Sequence, residues 1–494
     1  MLYDAMAGAP LLNESYDCCI LGGGPAGITL AMQLAEAGKL VLLLEGGGLD
    51  YSDASQAFYA ADMLGLDCGA PDTTRLRYLG GATNHWGGML FQLDEHDFEP
   101  RDHVELSGWP IRRADLKGYA DRTAKLLGTT GFGRLRRPVD GSDVMERVDE
   151  RWASDREWYD VKDNSPMNFA GQYLGTLRDA PGIHLVLNAN VTGLTLDTET
   201  AAVTGAEFRT LADQRYSVRA KDFVLAMGGL ENSRFLLTQN AAHGDCLGNR
   251  RSMVGRCFME HPTVWNGSYF ITKRLYSHSR YWELERLVRR QTPTLVLSPS
   301  AAHQRAAGLL NAAVHFNRMA NRPLADRQVR GSEFIAGLSF GEDYFFTGET
   351  WTTGEQVPNQ DSRITLSDRT DRFGLPRLAL DWRLKQIDLD SLREATLEAA
   401  KTLIRSGLGR MQIDKAFLET PEDIVTGSSH HMGGTRMSET DATGVVDANC
   451  KVHGCANLYV AGSSVFATGG FANPTFTILQ LALRLGDHLS AKQA

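Results

Sequence analysis

The sequence predicts an α/β chain in which a Rossmann-like domain, assembled from discontinuous segments, carries an inserted α+β domain. Three observations predict it. A strand, glycine turn, helix and second strand open the chain; two further strand–turn–helix patterns recur far downstream; and the stretch between those two alternates apolar and polar residues in another texture.

The first segment runs from Tyr16 to Gly48, YDCCILGGGPAGITLAMQLAEAGKLVLLLEGGG. The apolar run Cys18–Leu21 meets the glycine turn, and a helical pattern follows that packs through Leu30, Leu34 and small alanines. A second apolar strand, Leu40–Leu44, ends in Glu45. Such a unit demands parallel strands. Gly22, Gly24 and Gly27 have the G-x-G-x-x-G spacing. Gly22 permits the tight turn, Gly24 and its neighbour Ala26 bring backbone N–H groups to a pyrophosphate, and Gly27 lets helix and strand approach. Glu45, 18 positions beyond Gly27, is placed to accept hydrogen bonds from a ribose diol. A glycine turn that binds nothing is the bland alternative, and the combination of strand, helix, second strand and terminal acid outweighs it. The fingerprint alone does not separate FAD from NAD.

The second segment, Asp222 to Leu237, is another strand, glycine turn and helix start. The third, Asn457 to Leu489, has a strand at Leu458–Ala461 and a long apolar-faced helix after Asn473, opened by Pro474 as suits a first turn. Between them lie the alternating stretches RITLS and RLALDW and a helical stretch from Ile387 to Ser406. Residues 101–180 are charge-rich and resist assignment.

Composition narrows the function classes. A net charge of −9 without a Lys/Arg run argues against a nucleic-acid partner. Seven cysteines show no metal spacing, and adjacent Cys18 and Cys19 in one strand cannot serve one site, which fits reduced thiols. No basic-then-apolar leader opens the chain and no uncharged apolar run reaches ~18 residues, so the expectation is a soluble, cytoplasmic protein with no membrane partner and no metal.

Three motifs remain. YLGGATNHWGGML (Tyr78–Leu90) is a glycine-dense loop holding Gly81, Thr83, Asn84, His85 and Trp86; GSSHHMGGTRM (Gly427–Met437) holds adjacent histidines; and FANPTFT holds Asn473 and Thr475. Adjacent histidines diverge on any regular backbone, so at most one faces a given site. Taken together and in this order, the segments resemble the glucose-methanol-choline (GMC) oxidoreductases, within them most of all pyranose oxidase and the bacterial sugar and C-glycoside oxidoreductases. The likeness is firm over the first ~90 and last ~75 residues, loose near Met227–Gly229 and faint in the middle.

The resemblance implies FAD as cofactor, with an FAD-binding domain built from 1–100, 181–260 and 421–494, an uncertain insertion or lid at 101–180, and a substrate-binding domain at 261–420. It implies a small-molecule alcohol substrate of carbohydrate type, with O2 or another electron acceptor. The family's catalytic histidine, three residues before the Gly of Gly-Thr, maps to His431, and its second catalytic position to Asn473. In pyranose oxidase the loop matching Thr83–Trp86 carries a histidine joined covalently to the flavin. His85 takes that place, with Asn84 where a threonine would stand, so a covalent His85–FAD link is the expectation, against a histidine merely packed near the ring. Val191 resembles the residue packed on adenine, while Asp447, Gly462 and Ser463 resemble the C-terminal flavin-binding edge. In the insertion, Trp282, Phe340, Tyr344, Phe345, Phe346 and Trp351 are candidates to stack on a sugar, and Gly337–Thr353 is expected to be a mobile lid. The rival readings are a dehydrogenase passing electrons to a quinone or protein, a lyase on the same fold with a structural flavin, and an electron carrier.

Overall fold

The computed structural model describes the chain except residues 9–11, 89, 129–157, 160–167, 198, 273–293, 319–344, 406–408 and 493–494. Its centre is a six-stranded sheet in the order Leu2–Asp4, Ile183–Leu187, Val41–Leu44, Tyr16–Leu21, Ala220–Leu225, Leu458–Val460. Every pairing in it is parallel. Strands such as Val41–Leu44 and Ile183–Leu187 are buried along their whole length, as a parallel sheet covered on both faces requires. The helices Pro25–Glu36 and Thr475–Ala491 pack against each other, although they lie at opposite ends of the chain. Leu30 and Leu34 are buried there.

The glycine turn is forced by contact. Gly22 has φ +116°, and a Cβ on it would sit 2.5 Å from the Ala226 carbonyl oxygen. A Cβ on Gly27 would sit 2.0 Å from the carbonyl oxygen of Gly22. Helix and strand therefore approach only because both side chains are absent.

The insertion builds a second, five-stranded sheet in the order Thr294–Leu297, Ala312–Arg318, Phe345–Gly354, Thr263–Thr272, Gly409–Ile413. The helix Gln386–Arg405 covers it with buried Leu389, Leu392, Ala395 and Leu403. RITLS and RLALDW form paired antiparallel strands, Arg363–Thr370 and Pro376–Asp381, but the second also pairs in parallel with Ala61–Met63. That hairpin thus ties back to the N-terminal segment instead of joining the insertion's sheet. The expected lid needs correction too. Residues 337–344 of it lie outside the described residues, while Phe345–Thr353 pairs with Thr263–Thr272 and, from Gly348 on, also with Ala312–Arg318, so the ladder fixes that part in the sheet. Trp282, Phe340 and Tyr344 fall outside the described residues. Trp351 stacks on the ring of His315, with centroids 4.5 Å apart, inside the sheet's own packing.

A buried polar cluster joins these parts. Arg101 makes two parallel bonds to Glu355, Nη1 to Oε2 at 2.7 Å and Nη2 to Oε1 at 2.5 Å. Asp97 accepts from Asn311 Nδ2 at 2.9 Å, and Thr468 donates to the Asp97 carbonyl at 2.5 Å. Burial and then the Glu355 charge push the Asp97 carboxyl up to about 7. The strand of the insertion, the N-terminal segment and the C-terminal loop are thereby pinned at one point, immediately before Gly469 and Gly470. Among the described residues no helix is long and apolar enough to cross a membrane.

Candidate active site

A cavity of about 690 Å³ runs from the glycine turn to the C-terminal loop. Its wall includes Gly22, Gly24, Ala26, Glu45 and Val191, together with Trp86, His430, His431 and Asn473. A Cβ at Gly24 would meet no protein atom within 4 Å, so open space lies over the turn where a pyrophosphate must approach. The helix starting at Pro25 has no side-chain cap on its N-terminus, leaving its first-turn N–H groups for a ligand. Glu45 is buried and accepts from Gly23 N at 2.8 Å and Gly47 N at 2.7 Å, one bond on each oxygen. Each oxygen keeps a lone pair, so a diol can still be received. These features fit a dinucleotide of the FAD kind.

Gly81, Thr83, His85, Gly462, Ser463 and Thr475 also line the cavity. Two of the expected cofactor residues do not. Gly27 lies behind the turn as a packing contact. Asn84 faces away, with Nδ2 donating to the Leu79 carbonyl at 3.0 Å. Thr83 Oγ1 donates to the Gly80 carbonyl, and Ser463 Oγ to the His431 carbonyl, each at 2.6 Å. Those hydroxyls are committed to holding loops. Asp447 accepts from Asn449 N and Lys451 N in a tight turn and is not part of the cavity wall. On the same wall Arg75 and Arg234 both pair with Glu231, at 3.4 and 2.8 Å. Burial raises the Glu231 carboxyl, but Arg234 and Arg75 outweigh it and hold the group below its usual range.

The two histidines separate as the backbone dictates. Met259 and Met432 form an antiparallel bridge, with N–H to O distances of 2.8 and 2.9 Å. Counting outward from that bridge sets His261 opposite His430 on one face, and Glu260 opposite His431 on the other. The distances agree. His261 Nδ1 lies 2.8 Å from His430 Nδ1, and His431 Nε2 lies 3.6 Å from Glu260 Oε1. His430 Nε2 in turn lies 3.3 Å from Asn473 Nδ2.

The structure therefore corrects the expected pairing: Asn473 meets His430, not His431. The His431 ring is directed toward Phe258 and Glu260, and its Nε2 has no hydrogen-bond partner among the described residues. The family-motif spacing picked the wrong member of the pair because Gly433 and Gly434 offer two registers for one glycine. Glu260 and His261 carry no motif, and only the cross-strand register reveals them.

Burial sets the protonation of this group. It holds His430 well below the ordinary imidazole range, helped by neighbouring His261 and His431. His261 is pushed down to about 4 and His431 to about 3, burial leading in both. Glu260 is fully buried, and burial pushes it up to about 8 although its Oε2 accepts from His261 N and Ser428 N, both at 3.1 Å. At neutral pH the site holds uncharged imidazoles beside a protonated carboxyl.

Residues 358–482 match the family model of GMC oxidoreductases, and residues 17–257 that of an FAD binding domain. The 6'''-hydroxyparomomycin C oxidase of Streptomyces lividus is 25% identical, covering 98% of this chain and 93% of that relative. The 2-methyl-1,2-propanediol dehydrogenase of Mycolicibacterium austroafricanum is 24% identical, covering 97% and 96%. Among solved structures, pyridoxine 4-oxidase from Mesorbium loti superposes with a TM-score of 0.62 at 16% identity, covering 97% of this chain and all of that one, a likeness of fold.

Proposed function

The chain belongs to the GMC oxidoreductase family and is an FAD-dependent enzyme of alcohol oxidation, and from that premise we propose that it dehydrogenates a hydroxyl of a sugar, glycoside, aminosugar or similar cyclic alcohol, with His430 as base and Asn473 as its partner. The observation that carries the reading is the 3.3 Å approach of Asn473 Nδ2 to His430 Nε2 on the wall of the cavity. Oxidising an alcohol removes a proton from oxygen and a hydride from carbon, leaving a carbonyl. His430 Nε2 takes the proton, and burial keeps the imidazole neutral and ready to do so. Asn473 Nδ2 donates to the same oxygen and fixes its direction. An amide cannot take a proton at this pH, so the imidazole works alone. Flavin, when bound, supplies the acceptor for the hydride.

Gly22, Gly24 and Ala26 would hold the pyrophosphate, Glu45 the ribose, and Val191 the adenine. Gly462, Ser463 and Thr475 would border the ring end through their backbone. The carbohydrate class is supported by the full-length relative that is an oxidase of 6'''-hydroxyparomomycin C, while the relative acting on 2-methyl-1,2-propanediol sets the competing class.

The test is anaerobic mixing of the holoenzyme with glycosides, aminosugars and acyclic 1,2-diols, scored by bleaching of the flavin absorbance. Cyclic substrates are expected to bleach it. Bleaching by acyclic diols alone overturns the substrate class, and no bleaching by any alcohol overturns the whole reading. Readmitting air to the bleached sample and assaying peroxide then distinguishes O2 from another acceptor.

A further inference from the structure

His261 Nε2 lies 3.3 Å from the carbonyl oxygen of Gly469. A carbonyl only accepts, so Nε2 carries the hydrogen. The His261 ring is fully buried and neutral, which leaves Nδ1 as a bare acceptor. Nδ1 of His430 stands 2.8 Å from it, the two rings nearly perpendicular at 84°. Two bare nitrogens at that distance would repel, so His430 Nδ1 is the protonated one. Its Nε2 is then unprotonated, and it is this atom that Asn473 Nδ2 approaches as a donor. Starting from one backbone carbonyl, every hydrogen in the row has a single consistent place.

We propose that His261 is a positioning residue which fixes the tautomer of His430, so that the bare Nε2 faces the cavity. This rests on the reading of His430 as the base. When Nε2 takes the substrate proton, His430 becomes a cation, and its Nδ1–H bond to His261 turns charge-assisted and strengthens. The Gly469 carbonyl holds the His261 ring in place for it. The orienting role that a carboxylate plays in a serine-protease triad falls here to a neutral imidazole anchored on the backbone. A neutral partner does not raise the basicity of His430 as a carboxylate would, so the base stays weak and sheds its proton readily after each turnover. The nearby carboxyl, Glu260, does not take that part: its Oε2 accepts backbone N–H groups and its Oε1 faces His431. The other charges around the row are Glu355, whose field acts on His261, and Arg75, whose field acts on His431.

The test uses the holoenzyme with 15N-labelled histidine, with the His430 signals identified by their loss in His430→Gln. The expected spectrum shows a pyrrole-type Nδ1 and a pyridine-type Nε2 for His430. An Nε2–H tautomer in the native protein overturns the proposal while leaving His430 free to be a base by another route. His261→Asn keeps an acceptor at the Nδ1 position, and His261→Leu removes it. Flavin reduction at saturating substrate is expected to slow ~10²-fold in the leucine variant, the low end of what a general base contributes, to recover most of that in the asparagine variant, and to leave KM nearly unchanged in both. Equal losses in the two variants overturn the proposal. Should the leucine variant fail to retain flavin, the native spectrum and the asparagine variant decide. A normal reduction rate in His430→Gln instead sinks the base assignment itself, whatever His261 does.

Discussion

Replacing His430 by alanine is expected to slow flavin reduction far more than replacing His431. The two residues are adjacent, His431 buried and His430 half-buried, yet only His430 stands 3.3 Å from Asn473. Losing a general base costs ~10²–10⁴ in rate, or ~3–5 kcal/mol on the barrier. His431 contributes no hydrogen bond through Nε2 among the described residues. Its removal empties part of the space beside Phe258, which costs ~1–3 kcal/mol of stability and less than ~10-fold in rate. The assay is anaerobic stopped-flow reduction at saturating substrate, followed from acid to neutral pH. His430 must be neutral to work, and burial holds it well below 6.5. Reduction by the native enzyme is therefore level through pH 6.5 and falls only at more acidic pH, as the lowered value is reached. A His431→Ala variant slower than His430→Ala, or a native profile breaking at or above pH 6.5, refutes the reasoning.

Glu260 gives a second prediction, in stability. Its carboxyl is lifted from 4.5 to about 8, so the folded chain keeps a proton that the unfolded chain has released. That contribution is present in full below about pH 4.5 and is lost as pH rises to about 8, with an upper limit of ~5 kcal/mol. Glu260→Gln retains an oxygen for the His261 and Ser428 N–H groups, so its urea midpoint is expected to fall less than the native one between pH 5 and 8; parallel declines would contradict this. His85, which the resemblance places at a covalent link to flavin, supplies a third: a denaturing gel is expected to show a fluorescent protein band, and a dark band removes the link.

The parts legible in the sequence are those governed by local spacing. Gly22, Gly24 and Gly27 announce the turn because their spacing falls within one βαβ unit, even though the atom that excludes a side chain at Gly22 is the distant Ala226 carbonyl, and the helix at Gln386–Arg405 is readable from its apolar period. What could not be read depends on pairs far apart in the chain. Whether His430 or His431 faces Asn473 is decided by the Met259–Met432 bridge, and no periodicity within GSSHHMGGTRM encodes that register. His261 lies outside every motif for the same reason. Asn84 stands beside a cavity-lining histidine yet turns away, because its amide closes the loop onto Leu79. The pair Arg101–Glu355 joins residues 254 positions apart, beyond the reach of any local pattern.

The placement of the strand Leu458–Val460 has a consequence for biogenesis. It closes one side of the central sheet by pairing with Ala220–Leu225, and His430 and Asn473 lie in the same late stretch of chain. A ribosome releases this stretch after every other strand of the sheet, so a nascent chain waits with Ala220–Leu225 as a raw, unpaired border. Such borders invite association with other chains, and pairings this distant in sequence are slow to close. Cofactor capture is therefore a task for the finished polypeptide, and truncation anywhere upstream of Leu458 yields a product prone to clump, not a partial enzyme.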